Sequence, residues 1–206
     1  MKKVNLVDAE RQPCDSDQEE QVWQAFKLGN DSAFTNFVTL FYPVLLKYGL
    51  RICTNSETVK DCLHNLFIDI WNRRNRMEEV RSIKAYLFTS LRRQLYKEIQ
   101  RSQLVFSVDK VLDEYDFEVQ FAVETDIIES EIKDENLLKL RANLEHLSKR
   151  QREAIYLRFY QSLEYDDIAQ IMAINHHSAV NLIYEALKML RKHWRGVVFM
   201  LLFTSL

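Results

Sequence analysis

Apolar residues repeat at helical spacing along most of this chain, and the clearest repeat lies between residues 147 and 190. Two amphipathic stretches there flank a short break at residues 174–177. Their apolar positions are Leu163, Ile168, Ala169 and Met172 before the break, and Ala179, Leu182, Ile183, Ala186, Leu187 and Leu190 after it. This pattern predicts two helices joined by a tight turn, a helix-turn-helix, with a further helix in front of it.

Polar residues occupy the start of the second of these helices. Asn175 is a natural N-cap, because its side chain can accept a hydrogen bond from a free backbone N–H. A recognition helix reads base edges from its first turns, so we expect DNA contacts from His176, His177, Ser178 and Asn181. In the further helix that lies in front of the helix-turn-helix, we expect Lys149, Arg150 and Arg152 to contact DNA phosphates. The alternative is a solvated surface, since the exposed start of any helix is polar.

Four more helices are predicted upstream. The first closes at Gly29, a C-cap signal, and the second runs past Pro43. The third starts at residues 54–56, and the fourth starts near residue 82 after a basic loop. The predicted order is a leader (1–19), a helical domain (20–102), an acidic linker (103–128), a helix-turn-helix domain (129–195) and an apolar tail (196–206).

Glycine and proline are scarce, with three and two residues in the whole chain. Neither occurs between Leu50 and Arg195, which favours an all-α fold and argues against tight hairpins. The same scarcity excludes Gly-rich phosphate loops, dinucleotide-binding fingerprints and nucleophile elbows. We therefore expect an all-α protein of two small helical domains that is not an enzyme and has no catalytic residues.

Cysteine and histidine do not indicate a disulfide framework or a metal site. The three cysteines lack CxxC spacing and are expected to be reduced, as in the cytoplasm. The five histidines have no partners at the spacing of metal ligands. We expect no metal and no cofactor. The apolar tail is far shorter than the roughly 20 residues that span a bilayer, so we expect no membrane insertion and a cytoplasmic location.

The formal net charge of −2 conceals a strong asymmetry along the chain. Nine bases against three acids give +6 over residues 73–101, and ten bases against six acids give +4 over residues 139–195. Between them, residues 109–135 carry two bases and eleven acids, which give −9. Two basic blocks around an acidic segment indicate polyanion contact. We also expect the acidic segment to mimic nucleic acid, either screening DNA-binding faces in the free protein or occupying a basic channel.

The first basic block combines cations with aromatic rings, as proteins that bind unpaired strands do. Its helix carries Tyr86, Arg92, Arg93 and Lys97, and its loop carries Arg74, Asn75 and Arg76. We expect these residues to form a groove for a melted strand. The alternative is that the aromatic rings belong to the core and that the arginines form a solvated face.

Two segments resemble the extracytoplasmic-function (ECF) group of bacterial RNA polymerase sigma factors. Residues 59–71, Val-Lys-Asp-Cys-Leu-His-Asn-Leu-Phe-Ile-Asp-Ile-Trp, are similar to that group's Ala-Glu-Asp-Leu-Val-Gln-Glu-Val-Phe…Trp helix, and the similarity continues to Arg101. The segment from Leu147 to Arg191 is similar to the group's helix-turn-helix signature. The two matches occur in the group's order and cover most of both predicted domains.

The resemblance implies a two-domain initiation factor. The helix carrying Asp61, His64, Asn65 and Asp69 would bind core RNA polymerase. The basic groove would hold the melted minus-ten element of promoter DNA, and the recognition helix would read the minus-thirty-five element. The linker would thread the polymerase's nucleic-acid channel, and the group makes an anti-sigma factor a plausible further partner.

The chain departs from the group's pattern at four positions. His64 stands where glutamine is usual, and Arg93 stands where asparagine is usual. Glu164 replaces a serine cap. Ala173 replaces the turn glycine, which costs about 1 kcal/mol if its φ is positive.

Two rival functions fit parts of the sequence. A stand-alone helix-turn-helix regulator would bind duplex DNA tightly without polymerase, whereas a sigma factor binds promoter DNA weakly when alone. A helical adaptor that docks a membrane regulator through its apolar tail would leave the basic block at residues 73–101 without a role.

Overall fold

The computed structural model describes residues 16–29, 31–74, 81–102, 117 and 144–193. These residues form helices and turns without a strand, so the predicted all-α fold is confirmed. The helices are α1 (Ser16–Lys27), α2 (Asp31–Ile52), α3 (Ser56–Arg73), α4 (Ile83–Ser102), α5 (Lys149–Ile155), α6 (Tyr165–Met172) and α7 (His176–His193). A π-helical turn, Tyr156–Tyr160, continues α5. Residues 1–15 of the predicted leader, nearly all of the linker, and the tail lie outside the described residues, and α1 begins at Ser16, inside the predicted leader rather than at residue 20.

The first half of the molecule packs α1 to α4 around an aromatic centre. Phe26 and Phe37 stack with ring centroids 4.7 Å apart, and Trp23 lies 5.4 Å from Phe26. All three rings are buried and are among the largest fully buried side chains of this half. As predicted, α2 continues past Pro43.

Gly49 allows α2 and α3 to approach closely. A Cβ atom at this position would meet Val59 Cγ1 at 2.6 Å, well inside van der Waals contact. Leu91 and Leu95 of α4 lie behind the same point, so the helix cannot easily shift away. The absence of a side chain at Gly49 therefore sets the spacing of three helices.

The second half contains α5, α6 and α7. Ser148 and Gln151 form a reciprocal capping box that fixes the start of α5. The apolar faces meet in a core that includes Leu157, Ile168 and Ile183. The predicted helix-turn-helix, with a helix in front of it, is confirmed.

The two halves pack against each other rather than lying at opposite ends of a tether. Helix α4 contacts α6, and buried side chains of both halves belong to one continuous cluster. Tyr48 of α2 stacks on Tyr156, with centroids 6.1 Å apart. Phe117 of the linker is buried against both rings. The apolar spacing within each half gives no sign of this contact.

Ala173 occupies the left-handed conformation, with φ of 53° and ψ of 48°, so the cost given above for a positive φ applies. A left-handed residue with a Cβ costs about 1–2 kcal/mol, while glycine loses about 0.4–1 kcal/mol in extra chain entropy. We expect Ala173→Gly to raise the unfolding free energy by about 1 kcal/mol and the Tm by about 2–4 °C. Ala25→Gly, at an exposed helical position of α1, should lower the Tm instead. A lower Tm for both variants would contradict the conclusion that Ala173 is strained in a left-handed conformation.

Candidate nucleic-acid interface

The turn between α6 and α7 presents the start of α7 to solvent. Asn175 Oδ1 accepts a hydrogen bond of 2.7 Å from the backbone N–H of Ser178, so the predicted N-cap is confirmed. His176, His177 and Asn181 are exposed, and Ser178 is half-buried. The opposite face of α7 is buried through Ala179, Ile183, Ala186 and Leu190.

His177 and Asn181 form a preorganised polar pair. They lie one helical turn apart, and a hydrogen bond of 3.1 Å joins Asn181 Nδ2 to His177 Nδ1. Both side chains point away from the core, so they can reach a base edge without disturbing the packing. The geometry agrees with the predicted reading surface, and the DNA contacts themselves stay a prediction.

His176 is already engaged within the protein. Its Nδ1 lies 2.6 Å from Asp166 Oδ1, and Asp166 Oδ2 accepts two hydrogen bonds of 3.3 Å from Arg81 of the other half. The hydrogen bond from His176, helped by its charge and that of Arg81, lowers the pKa of Asp166. Asp166 thus connects the first residue of α7 to the start of α4.

The basic residues at the start of α5 border the contact between the halves. Lys149 and Arg150 are half-buried and line a small pocket with Arg92 and Glu153. Arg152 is also half-buried. Lys149 and Arg150 thus lie beside Arg92 of α4, and their phosphate contacts stay a prediction.

The predicted strand-binding residues of α4 divide into two sets. Arg93 and Lys97 are exposed, and Tyr86 is half-buried. Arg92, in contrast, is only 6% exposed. Arg74 stacks on Trp71 at 4.1 Å and donates to its carbonyl at 2.8 Å. Asn75 and Arg76 lie outside the described residues.

Arg92 belongs to a buried polar triad with Glu153 and Tyr48. Its Nε and Nη2 donate to the two carboxylate oxygens of Glu153 at 2.9 and 3.3 Å, and Tyr48 Oη donates to Oε1 at 2.7 Å. Burial opposes the charge of Arg92, but the Glu153 carboxylate outweighs it and raises the arginine pKa. Burial and then the Glu153 charge raise the pKa of Tyr48 well above its usual value. The triad therefore consists of an ion pair and a neutral phenol.

The predicted polymerase-binding residues share the outer face of α3. Asp61, His64, Asn65 and Asp69 are all exposed, while the inner face of the helix is buried. Asp69 pairs with Arg73 one turn later at 3.1 Å. Beside these residues lies a groove of about 440 Å³, lined by Phe34, Val38, Tyr42, Lys60, Asp61, His64, Phe67 and Ile68. Ile68 is 44% exposed, so apolar surface is available there.

Two family models match this chain in the two halves just described. The model of sigma-70 region 2 matches residues 37–104, and the model of sigma-70 region 4 matches residues 137–190. Together the two matches cover more than half of the chain. The chain belongs to the sigma-70 family. The resemblance drawn from the sequence, region 2 followed by region 4 as in the ECF group, is confirmed.

Two solved structures are similar to this sigma-70 family chain. CnrH, in complex with the cytosolic domain of CnrY, is 17% identical, with coverage of 84% of this chain and 95% of that chain and a TM-score of 0.51. The sigma factor RpoE, in complex with the anti-sigma factor NepR from Bartonella quintana, is 22% identical. It covers 79% of this chain and 97% of that chain, with a TM-score of 0.51. A comparison with curated proteins gives no match. At these identities the likeness establishes the fold.

Sequence reasoning missed the contact between region 2 and region 4. Glu153 has no signal of its own, because an acid beside Ala154 and Ile155 reads as the solvent side of an amphipathic helix. Its partners Tyr48 and Arg92 are 105 and 61 residues away in the chain. Phe117 is one of many apolar residues in the acidic linker, so the sequence did not single it out.

The described residues contain no cluster of three or more His, Cys, Asp or Glu side chains that could hold a metal ion. Nor does the described part of the chain contain a helix with the length and apolarity that crossing a membrane requires.

The Asn175 cap fixes the start of α7, where the predicted reading surface of region 4 lies. Loss of an N-cap costs about 1 kcal/mol, so we expect Asn175→Ala to lower the Tm by about 2–4 °C. Asn72→Ala, at an exposed position near the end of α3, should change the Tm by no more than about 1–2 °C, because surface substitutions usually change stability by less than about 0.5 kcal/mol. Thermal unfolding followed by circular dichroism measures both. Equal melting of the Asn175 variant and the wild type would show that the cap does not fix α7.

Proposed function

We propose that this sigma-70 family protein binds core RNA polymerase in the cytoplasm and directs it to promoters. Region 4 reads the minus-thirty-five duplex, and region 2 holds the melted minus-ten strand. The observation that carries the proposal is the exposed, capped start of α7, where His177 and Asn181 form a hydrogen-bonded pair. Membership of the sigma-70 family supplies the context of transcription initiation.

Core polymerase is proposed to dock on the outer face of α3. This face combines the polar residues Asp61, His64, Asn65 and Asp69 with the adjoining apolar groove. A polar rim beside a concave apolar surface is the composition of a protein-binding site. Of the two rival functions, a stand-alone regulator has no use for this face.

An anti-sigma factor is proposed as a second partner. The two similar solved structures are complexes, one of CnrH with the cytosolic domain of CnrY and one of RpoE with the anti-sigma factor NepR. A partner that covered the α3 groove would exclude core polymerase by direct competition.

Binding to core polymerase tests the proposed function and separates it from that of a stand-alone regulator. Burying Ile68 contributes about 1.5–3 kcal/mol, so we expect Ile68→Glu to weaken binding to core polymerase at least 10-fold. Glu57→Gln, exposed near the start of α3, is the matched control and should bind like the wild type. Fluorescence anisotropy with labelled chain measures the affinity. The proposal fails if the wild-type chain does not bind core polymerase but binds duplex promoter DNA tightly alone.

The two DNA-binding faces should respond differently to substitution. A good base contact contributes about 1–3 kcal/mol of discrimination, so His177→Ala or Asn181→Ala should change which minus-thirty-five sequences are used, by about 5-fold to 150-fold. Lys97→Ala should weaken opening by a similar factor on every template, because a phosphate contact carries no sequence information.

Run-off transcription with core polymerase and a promoter library measures both effects. Gln21→Ala, at an exposed position of α1, provides the control. Equal losses on all templates for the His177, Asn181 and Lys97 variants would contradict this division between the two regions.

A further inference from the structure

The buried polar triad joins region 2 to region 4 through one carboxylate. Glu153 is 3% exposed, and Arg92 and Tyr48 from the other half are 6% and 0% exposed. The two oxygens of Glu153 take three hydrogen bonds from these two side chains. The contact is therefore a fully paired ionic site between two folding units of the same chain.

The same contact covers one face of α4. Ala85, Thr89 and Arg92 lie on that face by helical spacing, and all three are buried. Just before α4 begins, Arg81 donates two hydrogen bonds to Asp166 of α6. Arg93 and Lys97 remain exposed on the adjoining surface. When the two regions are in contact, which we call the closed arrangement, Arg92 is buried while Arg93 and Lys97 stay accessible.

A carboxylate and a phosphate compete for the same features of arginine. The guanidinium presents a planar fork of donors that suits either group, and Glu153 occupies two of those donors. A nucleic-acid phosphate cannot approach Arg92 until Glu153 leaves. Opening the contact would hydrate both charges and free the fork.

The energetics of a buried ion pair suit a contact that has to open. Its Coulomb attraction is largely offset by the loss of hydration, so an intact pair adds little net strength. Removal of one partner has a larger effect, because the other charge stays buried without compensation. A buried ion pair of this kind favours one arrangement of region 4 on region 2, yet it adds so little net stability that the two regions can still separate.

We propose that the buried polar triad is an autoinhibitory latch, in which Glu153 and single-stranded nucleic acid compete for Arg92. The free chain keeps the strand-binding face of region 2 partly covered by region 4, and separation of the two regions exposes it. Phe117, seated on Tyr48 and Tyr156, fastens the linker to the same closed contact. The proposal concerns the regulation of the strand-binding face and rests on the function proposed for that face.

The test compares Glu153→Ala and the shape-conserving Glu153→Gln with Glu145→Gln, an exposed acid that precedes α5. Small-angle X-ray scattering measures the radius of gyration of the full chain, and circular dichroism verifies its helix content. We expect both Glu153 variants to keep their helix content and to expand, because the unpaired Arg92 shifts the open-to-closed ratio by about 100-fold or more. We expect the Glu145 variant to match the wild type.

Fluorescence anisotropy with a single-stranded oligonucleotide, in the absence of polymerase, measures the second consequence. A freed arginine–phosphate bond should tighten binding about 10-fold to 100-fold, and adding Arg92→Ala to the Glu153 variant should abolish that gain. The latch is overturned if the Glu153 variants stay as compact as the wild type, or if they expand without binding the strand more tightly.

Transcription with core polymerase keeps the two proposals apart. Wild-type initiation together with compact Glu153 variants would reject the latch and retain the proposed function. Expansion and tighter strand binding without any initiation by the wild type would retain the competition for Arg92 and reject the sigma-factor role.

Discussion

A buried carboxylate must be paired, and this requirement fixes how region 4 sits on region 2. The aromatic rings of Tyr48, Tyr156 and Phe117 supply apolar area at the contact, but apolar packing alone tolerates many arrangements. Glu153 restricts these arrangements, because its two oxygens accept hydrogen bonds from Arg92 and Tyr48 and would otherwise be buried unpaired. The polar triad therefore specifies the arrangement that the rings stabilise.

This contact leaves one of the two proposed nucleic-acid surfaces exposed and partly buries the other. The start of α7 stays exposed in the closed arrangement, although His176 is tied through Asp166 to Arg81. The surface on α4 loses Arg92 and keeps Arg93 and Lys97. The arrangement with the two regions in contact thus keeps most of the surface proposed to read duplex DNA exposed, while the surface proposed to bind the melted strand is incomplete. The acidic linker also takes part in the contact between the two regions, because Phe117, its one described residue, packs on Tyr48 and Tyr156.

The sequence predicts local structure well because local structure depends on nearby residues. The spacing of apolar positions locates α6 and α7, the cap at Asn175 follows from its side-chain chemistry, and the positive φ of Ala173 follows from its place in the turn. The solvent exposure of His177 and Asn181 follows from the same helical period. Family resemblance adds the identity of both regions, which periodicity cannot provide.

The contact between the regions escapes such reasoning because its residues are far apart in the chain. Composition places Arg92 in a basic block and so predicts exposure, whereas helical spacing places it between the apolar positions Ala85 and Leu95 of α4 without indicating a partner for its charge. What buries it is an acid in a segment 61 residues later, whose own local pattern is equally uninformative. Only the tertiary packing reveals that this arginine of the basic block lies in the interior, paired with Glu153.

The distance between the two regions, in the free chain and on polymerase, tests the account most directly. Site-specific spin labels at the exposed positions Asn36 and Glu185 would report it by pulsed electron paramagnetic resonance. We predict one short distance in the free wild-type chain and a longer one after core polymerase is added. An unchanged distance in the two states, with transcription intact, would contradict the account.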